Sequence, residues 1–162
     1  MNTTISKADA ALVAQPDRQG SVSVTPQPNT IDHLLVSRLW SLYAWPERGL
    51  PMHSMTVKKL LKYKSQPKYV SDDARTMKQP SRKWDYGRVR FFYEQLLAGK
   101  ELDPITVDNE CGNGHIYPEP VLIDGHHRLA ASHLAGVKTI PASYSGRVDL
   151  LDYLTGKRKT AP

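Results

Sequence analysis

Asp124, Gly125, His126, His127 and Arg128 stand in a row, and Leu129, Ala130, Leu134 and Ala135 follow them at helical spacing. Ahead of them runs the apolar triplet Val121-Leu122-Ile123. Asp-Gly is a turn signal. The stretch Val121 to Pro141 therefore predicts strand, tight turn, helix, turn and strand, with Gly136 ending the helix. Two histidines and an arginine then fall at the helix entrance. The first backbone N–H groups there lack intrahelical partners and the helix dipole is positive, which favours an anion, typically phosphate. Arg128 offers a bidentate fork to phosphate oxygens, and His127 can donate a hydrogen bond to one. Gly125 is the turn residue of the same site. Asp124 can bind Mg²⁺, orient a histidine or act as a base; it can equally cap the helix. Asp124, His126 and His127 are the candidate catalytic groups, and Asp124 is the candidate metal ligand. Phosphoryl transfer depends mostly on positioning and charge stabilisation, which such a cluster supplies.

The elements that must hold this turn can be read on both sides of it. Trp84 to Ala98 predicts a helix with Val89, Phe92, Tyr93 and Leu96 on one face, ended by Gly99. Arg88 and Gln95, seven apart, lie on the edge of that stripe and are candidates to reach a ligand; simple rim residues would look the same. Asp103-Pro104 breaks the chain. Ile105 to Val107 and Val121 to Ile123 predict two strands, with a hairpin loop around Gly112, Asn113 and Gly114. A strand at Val137 to Tyr144 and a short helix at Val148 to Leu154 follow. Gly156 ends that helix, and residues 156–162 are a basic tail.

Upstream, residues 1–30 read as a flexible arm rich in Thr, Ser, Gln, Asn and Pro. Residues 31–54 predict an N-terminal helix and loop. The helix covers Ile31 to Trp45, with Leu35, Leu39 and Leu42 on one face and Pro46 as its stop. Thr56 to Tyr63 fits a short strand or a helical turn. Pro67 to Pro80 is polar and irregular. The main domain spans residues 55–155, an α/β (α+β) unit with a small mixed sheet.

The chain has 162 residues, 40% of them hydrophobic, and a mean hydropathy of −0.49. That suffices for one domain with a core. No apolar run approaches a membrane span, and no secretory signal is visible, so a cytoplasmic protein is expected. The single cysteine, Cys111, excludes an internal disulfide. The formal net charge is +6. From Lys58 to Arg90 eleven Lys/Arg face three Asp, a local +8, so the remainder sums to −2. With Tyr63, Tyr69, Trp84 and Tyr86 interleaved, this stretch is a candidate DNA or RNA surface; a solvated lysine-rich face and ordinary core aromatics explain it equally. Cys111, His115, His126 and His127 do not form a recognised zinc spacing. His133 reads as a packed or surface histidine.

The order of motifs resembles the ParB/sulfiredoxin superfamily. The residues that carry it are Gly99 to Leu102, Pro104-Ile105, Val107, Asp124 to Arg128 with Ala131, Gly136 and Ile140-Pro141. The resemblance covers roughly Met55 to Leu154. It implies a nucleotide site on the helix opened by Gly125-His126-His127-Arg128, with His127 and Arg128 on phosphate groups and Arg88 and Gln95 contributed by the upstream helix. It implies ATP or another nucleoside phosphate as ligand, with Mg²⁺. His126 stands where sulfiredoxin has its cysteine, so that chemistry is not expected. About twenty residues follow Pro141, too few for the helix-turn-helix domain of a partition ParB. The expected activity is binding of a nucleoside di- or triphosphate, with phosphate hydrolysis or phosphoryl transfer. A ParB-like nuclease, or a non-catalytic nucleotide-sensing or nucleic-acid-binding module, is the alternative. Oligomeric state stays open.

Overall fold

Val121, Leu122 and Ile123 do run as strand into the Asp-Gly turn, within a longer strand than the triplet alone suggested. The computed structural model describes residues 30–42, 54–68, 82–110 and 116–162. Its elements, in chain order, are β1 (Ile31–Leu35), α1 (Val36–Leu42), α2 (Val57–Leu60), α3 (Arg82–Leu97), β2 (Ile105–Glu110), β3 (Ile116–Asp124), α4 (His126–Leu134), β4 (Thr139–Ser145) and α5 (Val148–Thr155). The four strands form one mixed sheet in the order β1-β4-β2-β3. β2 runs parallel to β4, and the other two pairs are antiparallel. The expected α+β class with a small mixed sheet is what the chain adopts.

Period-two burial marks the inner face of the sheet. Along β4, Ile140, Ala142 and Tyr144 are buried while Thr139, Pro141 and Ser143 are half-buried. Cross-strand register places Leu34 opposite Ile140, Ile105 opposite Ala142, and Val107 opposite both Tyr144 and Leu122. These residues join Val89 of α3, Leu129, Ala130 and Ala131 of α4 and Leu150 and Leu154 of α5 in one core. A fully buried Leu, Ile or Val contributes about 1.5–3 kcal/mol, so this cluster carries the fold.

The N-terminal segment corrects an expectation. Ile31 to Leu35 is the edge strand β1, not the start of a helix, and among the described residues of that segment Val36–Leu42 is helical. The leucine spacing satisfies a helix, but the ladder to β4 buries Leu34 completely. The backbone bond from Val36 N–H to the Lys138 carbonyl, 3.1 Å, prolongs that contact. Helix propensity is worth tenths of a kcal/mol per residue, less than a ladder and a buried leucine together. The segment thus belongs to the sheet of the main domain. The expected stop at Pro46 lies outside the described residues. So do the arm up to Asn29, the stretch of the Pro67–Pro80 loop beyond Lys68, and the hairpin loop at Gly112 to Gly114.

Thr56 to Tyr63 resolves to a helical turn. The Thr56 hydroxyl caps α2 by accepting from the Lys59 N–H at 3.3 Å. The chain then crosses α3 closely. Arg90 Nη1 donates to the Leu61 and Tyr63 carbonyls at 3.0 and 2.6 Å, and Gln66 N–H donates to the Gly87 carbonyl at 3.0 Å. A Cβ at position 87 would lie 2.7 Å from the Lys64 carbonyl oxygen, so this crossing needs glycine in mid-helix.

Candidate functional site

β3 ends at Asp124 and α4 begins at His126, so Gly125 alone makes the turn. Its φ of +101° lies in the left-handed region. A Cβ there would sit 2.3 Å from Ile105 Cγ2. Both facts exclude a side chain at this position. Gly125 is the N-cap residue, without a side-chain cap bond, so the capping role considered for Asp124 is not the one it takes. The first intrahelical bond runs from Leu129 N–H to the Gly125 carbonyl, 2.9 Å. The amides of His126, His127 and Arg128 therefore precede the helical ladder, as expected of an anion-favouring first turn.

Arg128 is bound more tightly than the sequence suggested. Its Nη1 donates to the carbonyls of Asp103 (2.9 Å) and Pro104 (2.7 Å), and its Nη2 to Asp124 Oδ2 (2.6 Å). Its side chain is 13% exposed, that of Asp124 70%. A guanidinium carries five N–H donors; two clip α4 to the Asp103-Pro104 turn and a third binds Asp124, which leaves two. Asp124 holds Arg128 from one oxygen and offers its exposed edge to solvent. Among the described residues no group of three or more His, Cys, Asp or Glu is arranged to hold a metal ion. A Mg²⁺ at Asp124 would need the oxygens of a bound phosphate to complete its coordination.

His127 reaches the other way. Its Nε2 lies 2.9 Å from Oδ1 of Asp85, a carboxylate only 2% exposed. The ring also meets Trp84 edge-on, with centroids 5.3 Å apart at 84°. Asp85 and Trp84 belong to the first turn of α3. The opposite ends of the two helices also come together, because Leu96 and Ser132 line one small cavity with Val137. α3 and α4 therefore run side by side in the same sense, and their positive ends meet at Asp85 and His127. At that shared end the buried Asp85 side chain lies in the first turn of α3 and meets the His127 ring. Sequence reading counted Asp85 only in the charge balance. The signal was present: positions 85, 89, 92 and 96 repeat at helical spacing, and Asp85 alone breaks an apolar stripe completed by Val89, Phe92 and Leu96.

The other expected residues are placed differently. His126 is half-buried as the first residue of α4. Arg88 is 8% exposed. Its Nη1 donates to the Gln66 and Pro67 carbonyls at 3.2 and 2.7 Å, and its guanidinium lies 4.5 Å from the Phe92 ring centroid. It thus ties the crossing segment to α3. Gln95 lies ten residues beyond Asp85, about 15 Å along the helix axis, at the far end from the α4 turn. In the basic stretch, Arg90 bonds Glu94 through Nε at 2.7 Å and holds that carboxyl below the usual range. Lys58, Lys59, Lys62, Lys64, Lys68 and Lys83 are exposed. Tyr63 stacks on Tyr86 at 4.5 Å, so the described aromatics of this stretch pack against their own chain rather than outward. His133 is exposed and stacks one ring face on Trp40 at 4.0 Å, a surface histidine within the packed-or-surface expectation. Cys111 and His115 lie outside the described residues. No described helix is long and apolar enough to cross a membrane.

Compared with protein-family models, with curated proteins and with solved structures, the chain shows no match.

Proposed function

We propose that this chain binds a nucleoside phosphate, ATP or a related di- or triphosphate, at the first turn of α4, and uses the site for phosphate hydrolysis or phosphoryl transfer. The observation that carries the reading is the pairing of two helix starts at one place. The first turns of α3 and α4 meet through the bond between Asp85 and His127, next to an arginine with two N–H groups left. Parallel dipoles, three amides ahead of the helical ladder and the Arg128 guanidinium all favour an anion with several oxygens. Asp124 supplies the exposed carboxylate on which a phosphate-bound Mg²⁺ would rest. The resemblance to the ParB/sulfiredoxin superfamily supports a nucleotide rather than a bare anion. The nucleic-acid alternative keeps its exposed lysines, but its described aromatics are engaged in packing.

The test is a thermal-shift and calorimetric panel with ATP, ADP, CTP and GTP, each with and without Mg²⁺. A ligand at 100 times its Kd stabilises the fold by about 2.7 kcal/mol. One or more nucleotides should raise Tm in wild type, and His127→Ala should remove the shift. A flat response to all four would sink the proposal. A steeply salt-dependent shift with short single-stranded DNA would point to the binding-module reading instead.

A further inference from the structure

We propose that the cavity between the far ends of α3 and α4 is a second binding site, for a small neutral molecule with an apolar body and one hydroxyl or carbonyl oxygen. The site is independent of the nucleotide reading, because it lies at the end of α4 opposite the His126–Arg128 turn. Its volume is about 180 Å³. The wall is built by Leu96 of α3, Leu102 ahead of β2, Val137 after α4, and Ile140 and Pro141 of β4. An apolar cavity of about 150 Å³ takes up benzene, so a single ring fits here.

The polar observation is Ser132, which lines the same cavity. It is 1% exposed, and its buried Oγ has no hydrogen-bond partner. A serine inside a helix ordinarily points to solvent or bonds the carbonyl four residues back. Ser132 does neither. Alanine would suit the helix better and leave no orphan hydroxyl. Buried polar atoms are nearly always satisfied, so this hydroxyl marks the place of a partner that occupies the cavity.

The lining says what that partner is. A buried water makes about three hydrogen bonds, and among the lining side chains only Ser132 is both polar and buried. An organic molecule instead gives the leucines and Ile140 apolar contact, and gives the hydroxyl its one bond. Its oxygen is neutral, because a charged group facing apolar walls and a single hydroxyl would be left unpaired. Glu101 and His33, both exposed, stand at the mouth, and the Glu101 carboxylate further disfavours an acid.

The test is an NMR titration of the full chain, read in ¹H–¹³C methyl and ¹H–¹⁵N spectra, with phenol, toluene and benzoate as probes. Phenol should give saturable shifts at Leu102, Ser132, Val137 and Ile140, and benzoate none. Ser132→Ala should weaken phenol about fivefold, the worth of one hydrogen bond, while toluene affinity does not fall. Ser132→Cys, which is nearly isosteric, should weaken phenol in the same sense and keeps the comparison possible should the alanine variant not fold. Absence of a saturable phenol shift would mean a cavity that holds water alone, and overturns the proposal. So does benzoate binding as tightly as phenol, an unchanged phenol affinity in the serine variants, or an equal loss for phenol and toluene.

Discussion

At the scale of single residues, Arg128 and Gly125 fix the α4 turn against the rest of the fold. Arg128 joins two backbone carbonyls and a carboxylate, so its planar fork holds the start of α4 against the chain entering β2. Lysine has no such geometry. Gly125 is the stricter case. Its positive φ alone disfavours any other residue, and the 2.3 Å approach of a Cβ to Ile105 adds a clash with a core side chain. Backbone strain of this kind costs about 1–3 kcal/mol, and overpacking a similar amount. Gly125→Ala should therefore lower stability by at least about 2 kcal/mol, read as a drop in the urea midpoint with unchanged slope. A substitution within a few tenths of wild type would show that the turn relaxes freely.

At the scale of elements, the helices divide the labour. α3 and α4 bring their positive ends together and so define the site, while α5 closes the core and receives the tail. The start of α5 is held by charge rather than by a side-chain cap. Arg147 Nε donates to Asp149 Oδ1 at 3.0 Å. The Arg147 hydrogen bond, opposed by desolvation and aided by the Leu150 amide, keeps the Asp149 carboxyl below its ordinary value of 3.8. A depressed carboxyl stabilises the native state above its unfolded pKa. That contribution disappears as pH falls through the folded pKa. Asp149→Asn should thus be less stable than wild type at neutral pH, and the gap in Tm should close as the pH drops below about 3.8. A gap that persists at lower pH would assign the effect to packing. The opposite end of α5 is tied down as well. Arg38 donates to the carbonyls of Tyr153 and Arg158, and Lys157 pairs with Asp152 at 3.8 Å. The basic tail is therefore folded back on the helix it follows.

At the scale of the whole molecule, the sheet joins distant parts of the chain. β1 pairs with β4 across more than a hundred residues of sequence, and β4 pairs with β2 in parallel. The N-terminal strand is therefore part of the core rather than an appendage. Leu34→Ala should cost about 2–5 kcal/mol, as expected for a fully buried leucine. Ile31→Ala, at a position 49% exposed, should stay within about 0.5 kcal/mol of wild type. Similar, small losses at both positions in chemical denaturation would contradict the docked strand.

The sequence by itself determined the local grammar of the site. Asp-Gly after an apolar run fixed the strand end and turn, the leucine and alanine spacing fixed α4, and the first-turn chemistry of His127 and Arg128 followed from backbone geometry common to all helices. Glycines at 99, 136 and 156 marked the right helix ends, because positive φ is a local requirement. What needed tertiary structure were the partners. Asp85 is 42 residues from His127 in sequence, and nothing local says which buried group it meets. β1 reads as helix in isolation because its leucines fit either period. Only the β4 ladder, more than a hundred residues away, makes it a strand. Arg88, Gln95 and the basic stretch had the right composition for ligand contact. Their direction depended on which way α3 turned and which segment crossed it. Hydrogen-bond partners and burial are properties of the folded chain as a whole, and periodicity does not encode them.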